Sequence, residues 1–484
     1  MAFSSPIFLF LFLPVVLTVY PFARKLRLKN LWLLLVSILF YAWGEVACVS
    51  LMLASTLMNY ALGLWVDNET KTARRKWAVG LAIGLNIGLL TFFKYANFLA
   101  ENLNSLLTFL KLDAVHWNAV RLPIGISFFT FHALSYVIDI YRRKAKAAQS
   151  PAGVALYIFL FPQLIAGPIL RWSAMAPQIA RRLITIDGFV EGIRRFVYGL
   201  AKKMLIANVV AVPASKVFSM PARELSPELA WFGTLCYTLQ IYYDFSGYSD
   251  MAVGLGKMFG FEFIENFNSP YIAESIKDFW RRWHISLSSW FRDYLYVPLG
   301  GNRCSKARTC ANLLTVFFLC GLWHGASWTF VIWGLYHGIF LILERTRFGP
   351  FVASLSRPLR HIYTLVVVMV GWVLFRADTL PQAMTFLSLM FGVRQATELR
   401  QLLGMHLTNQ VACAILLGVL FSMPFRPWLG RLRGKLMAAL PRGIRPGILC
   451  ADLVFEPVLL MGLFILSAVW LAGGTYNPFI YFRF

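Results

Sequence analysis

Long apolar runs recur from one end of the sequence to the other, separated by short polar stretches. They fall near Pro6–Phe22, Leu31–Tyr41, Cys48–Val66, Trp77–Phe98, Leu122–Tyr141, Val154–Leu170, Phe189–Val212, Leu229–Phe245, Leu313–Leu343, Ile362–Phe375, Val411–Met423 and Val454–Ala472. A helix needs roughly 20 apolar residues to cross a bilayer, so the pattern predicts an all-α polytopic membrane protein with about a dozen transmembrane or re-entrant helices. Several of the runs are short or interrupted by Gly and Pro. No polar insert, Ser/Gly linker, low-complexity tract or internal repeat divides them, so residues 1–484 read as a single membrane-embedded domain. The first run lacks a basic segment before it and a small-residue cleavage site after it, and is expected to be a retained span.

The least apolar stretch is Lys257–Asn312. Within it Ile276, Trp280, Trp283, Leu287, Trp290 and Tyr294 recur at spacings of three and four, the apolar stripe of a helix. Lys277, Arg281, Arg282 and Arg292 fill the other faces. The spacing predicts an amphipathic helix near 275–295 lying along the cytoplasmic interface, tryptophans at headgroup depth and basic side chains at lipid phosphates. His284 falls on or beside the stripe and should point toward protein or membrane. Gly300-Gly301 and Asn302 close the region with turn chemistry.

A second histidine lies in Ala311–Glu344, an apolar run of 34 residues. As one straight helix it would be about 51 Å long, well beyond a hydrocarbon core of roughly 30 Å. Basic residues flank both ends (Arg308, then Arg345 and Arg347), so two segments returning to the same side are expected. The natural break is Gly321-Leu-Trp-His-Gly-Ala326, which places His324 deep and beside a cavity, where broken helices are tolerated. An ionisable group at membrane depth is a functional candidate by default, and imidazole is suited to moving protons near neutral pH. His337 would be rotated about 140° from His324 on a continuous helix, and is expected to be structural.

Composition agrees with a membrane protein: 58% hydrophobic and 14% charged residues exclude an ordinary soluble domain, and the mean hydropathy is +0.63. The net charge of +24 is concentrated in short loops, at Arg24–Lys29, Lys71–Lys76, Arg142–Lys146 and Arg303–Arg308. The positive-inside rule makes these cytoplasmic, with the N-terminus and Ala100–Arg121 outside. Topology and anionic-lipid contact account for the charge, and a basic mouth attracting an anionic donor is compatible with it. Nucleic-acid binding is not expected, because no groove-sized basic patch forms. The seven cysteines show no CxxC and no metal spacing, so neither a disulfide framework nor a metal site is expected.

Further polar groups lie inside apolar runs. Ile241-Tyr-Tyr-Asp-Phe-Ser-Gly-Tyr-Ser-Asp-Met251 brings Asp244, Ser246, Tyr248 and Asp250 to the end of a span, as a cavity lining or as a helix-end network. The two carboxylates sit on poorly matched faces, which disfavours a paired acid/base device. His132, Ser135, Tyr136 and Asp139 share one face and read as a contact seam between helices, with a proton path as the alternative. Phe161–Arg171, with two prolines and a glycine, reads as a kinked or re-entrant piece packed inside. His116, His361 and His406 are expected at the interface.

The segments Phe161–Arg171, Tyr243–Gly256, Glu265-Asn-Phe-Asn-Ser-Pro-Tyr271, Phe279–Leu287, Trp290–Arg303 and Gly321–Ala326 closely resemble the membrane-bound O-acyltransferase (MBOAT) superfamily. Within it they are most similar to the bacterial alginate O-acetyltransferase (AlgI-type) branch. The resemblance runs from Phe3-Ser-Ser to the final Tyr476–Phe484. It implies an all-α ring of tilted helices around a thin centre with a tunnel, a catalytic buried histidine matched by His324, and a preceding histidine or asparagine matched by His284. It also implies an inner-membrane protein that moves acetyl groups from a cytoplasmic donor across the membrane. Periplasmic or membrane-anchored acetyltransferase partners then place them on an exported polysaccharide. Relatives serve alginate, acetylated cellulose or peptidoglycan.

On this reading His324 acts as general base on an acceptor hydroxyl attacking an acetyl thioester, or carries a covalent acetyl-imidazole. His284 orients the donor or tunes the site. Asp244, Ser246, Tyr248, Asp250 and Trp323 line the site, and Arg281 and Arg282 (with Arg292 and Arg303) attract the phosphates of acetyl-CoA or anchor lipid phosphates. No bound cofactor is expected. A transporter or flippase, and a scaffold of a polysaccharide export complex, remain the readings from other classes.

Overall fold

The computed structural model describes residues 1–394, 403–439 and 445–474; the terminal Tyr476–Phe484 motif lies outside the described residues. Among the described residues most of the apolar sequence becomes helix, and no strand occurs. The protein is therefore an all-α membrane protein. Among the described residues five helices are long and apolar enough to cross a bilayer: Leu26–Asn68, Thr72–Phe109, Ile186–Phe218, Arg357–Arg376 and Val454–Ala472. Shorter apolar helices include Ile126–Tyr141, Trp328–Leu343, Leu380–Met390 and Asn409–Ser422. By packing, the chain divides into two compact units. One holds Met1–Ile193 with Ala252–Ile264; the other holds Arg194–Met251 with Glu265–Phe484.

In the first unit, the runs expected as Leu31–Tyr41 and Cys48–Val66 form one 43-residue helix, Leu26–Asn68, whose backbone leaves helical geometry at Glu45 (φ −143°, ψ 53°). Glu45 is buried and its carboxylate accepts a hydrogen bond from Arg121 at 3.1 Å, which compensates a charge left at the kink. Asn59 and Asn86 join this helix to Thr72–Phe109 by reciprocal side-chain hydrogen bonds of 3.1 and 2.8 Å. The seam predicted on Ile126–Tyr141 is fully buried. Ser135 donates to the Phe131 carbonyl, the Tyr136 hydroxyl accepts from the Ala148 amide, and Asp139 accepts from the Ser173 amide. The Tyr136 ring lies over Gly63, where a Cβ would come within 2.4 Å of it. The Phe161–Arg171 piece is buried apart from half-buried Arg171, and holds only one short helical segment, Phe161–Leu164.

The second unit contains the histidine-bearing segments. Lys306–His324 and Trp328–Leu343 form a hairpin that breaks at Gly325, whose backbone is extended (φ −168°, ψ 152°). The break falls where the sequence placed it. The two helices approach backbone to backbone: a Cβ on Gly321 would sit 2.3 Å from the Phe330 carbonyl oxygen, and one on Gly334 2.2 Å from that of Phe317. This is the small-residue packing that membrane helices use where burial from water gives little drive.

The single interface helix expected near 275–295 is replaced by two seven-residue helices, Ile276–Arg282 and Ile285–Phe291, followed by a π-helical turn at Arg292–Tyr296. Its stripe is also not spread on lipid. Ile276, Trp280, Trp283, Leu287, Trp290 and Tyr294 are all buried in protein. Trp283 is the pivot, its ring centroid 4.9 Å from Trp372, 5.1 Å from Phe267 and 5.5 Å from Phe279. Pinning that side chain turns the chain at the next residue, a tertiary effect that apolar periodicity does not encode.

Candidate active site

His324 is the last residue of its helix and is 3% exposed. Its ring packs against Trp323, Trp333 and Phe375 with centroids at 4.8, 5.0 and 5.2 Å. His284 is fully buried at the start of Ile285–Phe291, in the left-handed conformation (φ 43°, ψ 55°). Its ring lies 4.6 Å from Phe245 and 6.1 Å from Trp323. Trp323 therefore packs against both histidines, which the sequence separates by forty residues. His284 lies outside the spanning helices, and burial pushes its imidazole down to about 3. Burial thus favours the neutral imidazole at physiological pH.

His337, set aside on helical geometry, is nearer than its rotation suggested, because the break at Gly325 removes the continuous helix. The Trp333 ring packs between the two imidazoles, 5.0 Å from His324 and 5.2 Å from His337. Trp280 also meets His337 at 5.2 Å. The site is a nest of aromatic rings around imidazoles, an apolar enclosure that keeps water away and strengthens each polar contact inside it.

The polar run of Pro227–Met258 is placed differently from a simple cavity lining. Asp244 is buried and forms an ion pair with Lys203 at 2.5 Å. Asp250 pairs with Arg195 at 2.7 Å and with Lys202 at 2.6 Å. Ser246 and Tyr248 are buried on the same helix. Both carboxylates thus stand in ion pairs with different partners, Asp244 with Lys203 and Asp250 with Arg195 and Lys202. Sequence reasoning missed Arg195, Lys202 and Lys203, although four basic residues (with Arg194) inside a predicted span signalled buried partners elsewhere. Of the basic residues on the expected interface helix, Arg282 is engaged by Asp278 at 2.9 Å and by the Asn268 carbonyl at 3.2 Å, whereas Arg281 is exposed. Arg292 pairs with its neighbour Asp293. His361 is half-buried, with Nε2 4.0 Å from the Glu274 carboxylate and Nδ1 3.1 Å from the Ala273 carbonyl.

Residues 78–378 match the family model described as MBOAT, membrane-bound O-acyltransferase family. The chain is 40% identical over the full length of both chains to the "probable alginate O-acetylase" of Azotobacter vinelandii, and 42% identical, again over both full lengths, to that of Pseudomonas putida. A "peptidoglycan O-acetyltransferase" of Helicobacter pylori is 38% identical over 81% of this chain and 80% of its own. The chain belongs to the membrane-bound O-acyltransferase family, and it is an acyltransferase.

Proposed function

We propose that this chain is an inner-membrane O-acetyltransferase that moves acetyl groups from a cytoplasmic thioester donor, acetyl-CoA, toward hydroxyls of an exported polysaccharide, and that the polymer is alginate. The observation that carries the site is the pairing of a helix-ending, buried His324 with His284 through the shared ring of Trp323. His324 takes the proton of an acceptor hydroxyl as that oxygen attacks the thioester carbonyl. The carbon–sulfur bond then breaks, the imidazolium returns its proton to the departing thiolate, and an acetate ester and free thiol result. His284, neutral and held outside the spanning helices, orients the donor. Exposed Arg281 attracts the donor's phosphates, and partner proteins outside the membrane complete delivery.

Full-length likeness to two alginate O-acetylases supports alginate. The Helicobacter pylori relative supports peptidoglycan as the second reading. The test is base-releasable acetate on the host's exported polymer and on its peptidoglycan, comparing wild type with His324→Ala at matched membrane abundance. General-base removal should lower transfer by about 10²- to 10⁴-fold. Acetate retained in the variant refutes the catalytic role, and acetate lost only from peptidoglycan replaces the polymer.

A further inference from the structure

The left-handed turn at His284 is unusual for a residue with a side chain, and two such turns, Ser269 and His284, occur close together in this region. Side chains other than Gly, Asn and Asp rarely adopt this conformation, and it persists only where surrounding contacts over-determine it. The first amides of Ile285–Phe291 also need acceptors, because the first turn of a helix has none within it. A residue at the helix start usually supplies one from its own side chain, and His284 makes no such hydrogen bond.

Asn266 supplies both from another segment. Its backbone carbonyl accepts from the Ile285 amide at 3.0 Å, and its side-chain Oδ1 accepts from the Ser286 amide at 3.2 Å. Its Nδ2 donates to Ser249 Oγ at 3.1 Å, tying the turn to the Pro227–Met258 helix. Asn266 is fully buried. The strand of chain beside it is registered on both sides: the Asn268 amide donates to the Arg282 carbonyl at 3.0 Å, and the Glu265 carboxylate is paired with Arg195. Because Asn266 does the capping, the imidazole of His284 is released from that duty and turns toward Phe245 and Trp323.

We propose that Asn266 is a positioning residue for the acyl transfer: it holds His284 in its left-handed turn and so sets the direction of the imidazole, without touching the substrate. The proposal rests on the role given to His284 above.

The experiment pairs two readouts on the full chain, the first in its native membrane and the second in detergent. Base-releasable acetate on the exported polymer is compared for wild type, Asn266→Ala, His284→Asn and the double variant. Misplacing a reacting group by about 1 Å costs up to about 100-fold, so Asn266→Ala should lower transfer by about 10- to 100-fold. Asparagine tolerates the left-handed region, so in the His284→Asn background the further loss should shrink below about threefold, the non-additivity of residues acting through one another. Amide exchange in detergent is the second readout. Asn266→Ala should deprotect Ser286, whose amide loses Oδ1, while leaving Lys306–His324 unchanged, and Asn266→Ser substitutes if the alanine variant does not accumulate. Equal losses in both backgrounds, or unchanged exchange at Ser286, overturn the proposal. Full transfer in His284→Asn and in His284→Ala would instead sink the role of His284 itself.

Discussion

Lys203 and Asp244 meet at 2.5 Å with each side chain only 2% exposed. Two charges so deeply buried are stabilising only together, because removing one leaves the other desolvated and uncompensated. Lys203→Met alone should therefore destabilise the protein by about 3 to 5 kcal/mol, whereas Lys203→Met combined with Asp244→Leu should recover most of that loss. Thermal unfolding in detergent distinguishes these outcomes, and additive losses would show that the charges are not coupled. The polarity of Asp244 and Asp250 was legible in the sequence, and so was their mismatch of faces. Their partners were not, because Lys203 and Arg195 lie forty or more residues away, and residue spacing along a helix says nothing about contacts across it. Asn266 stands out in the sequence only as part of the Glu265–Tyr271 motif, for the same reason.

At the scale of elements, the hairpin of Lys306–His324 and Trp328–Leu343 depends on glycines that leave no room for a side chain. Gly321→Ala would drive a Cβ to 2.3 Å from the Phe330 carbonyl and must splay the hairpin. We expect folded yield to fall and transfer to fall with it. Gly84→Ala, on the Thr72–Phe109 helix with nothing within 4 Å, should be neutral or stabilising by up to about 1 kcal/mol. Size-exclusion recovery of the two variants checks the contrast. The hairpin break was readable because 34 apolar residues overrun the bilayer and two glycines mark the weak point. The break at Trp283–His284 was invisible, since Ile276, Trp280, Trp283 and Leu287 keep helical spacing straight through it. Periodicity reports which residues want burial, not where aromatic packing turns the chain.

For the whole molecule, the basic loops fix the expected orientation in the membrane. Cys304 is exposed between Arg303 and the start of the Lys306–His324 helix, whose first turn carries Lys306 and Arg308. In a variant retaining only that cysteine, a membrane-impermeant maleimide should label it in inverted vesicles and not in intact spheroplasts. Labelling of intact spheroplasts would invert the topology and remove the cytoplasmic donor from the proposed reaction. The apolar exterior agrees with a bilayer environment: only 6% of the span in Val454–Ala472 is buried, and Val454, Phe455, Val458 and Met461 face outward. The +24 net charge and the run lengths made the membrane class plain. The division into two compact units left no composition shift or linker to reveal it.

Glu344, at the end of the hairpin, holds the start of the Ile276–Arg282 helix by accepting the Ile276 amide at 2.6 Å and the Lys277 amide at 3.0 Å, and it receives the Tyr363 hydroxyl at 3.2 Å. The carboxylate that caps this helix lies 68 residues downstream of it. A ribosome adding about 5 to 20 residues per second reaches it roughly 3 to 14 s after Ile276 has been joined. During that interval the Ile276 and Lys277 amides lack this acceptor, and only Ser275, accepting from the Asp278 amide, caps the helix from within. Assembly of this centre is thus a late event in biosynthesis, waiting on Glu344 and then on Trp372 and Phe375.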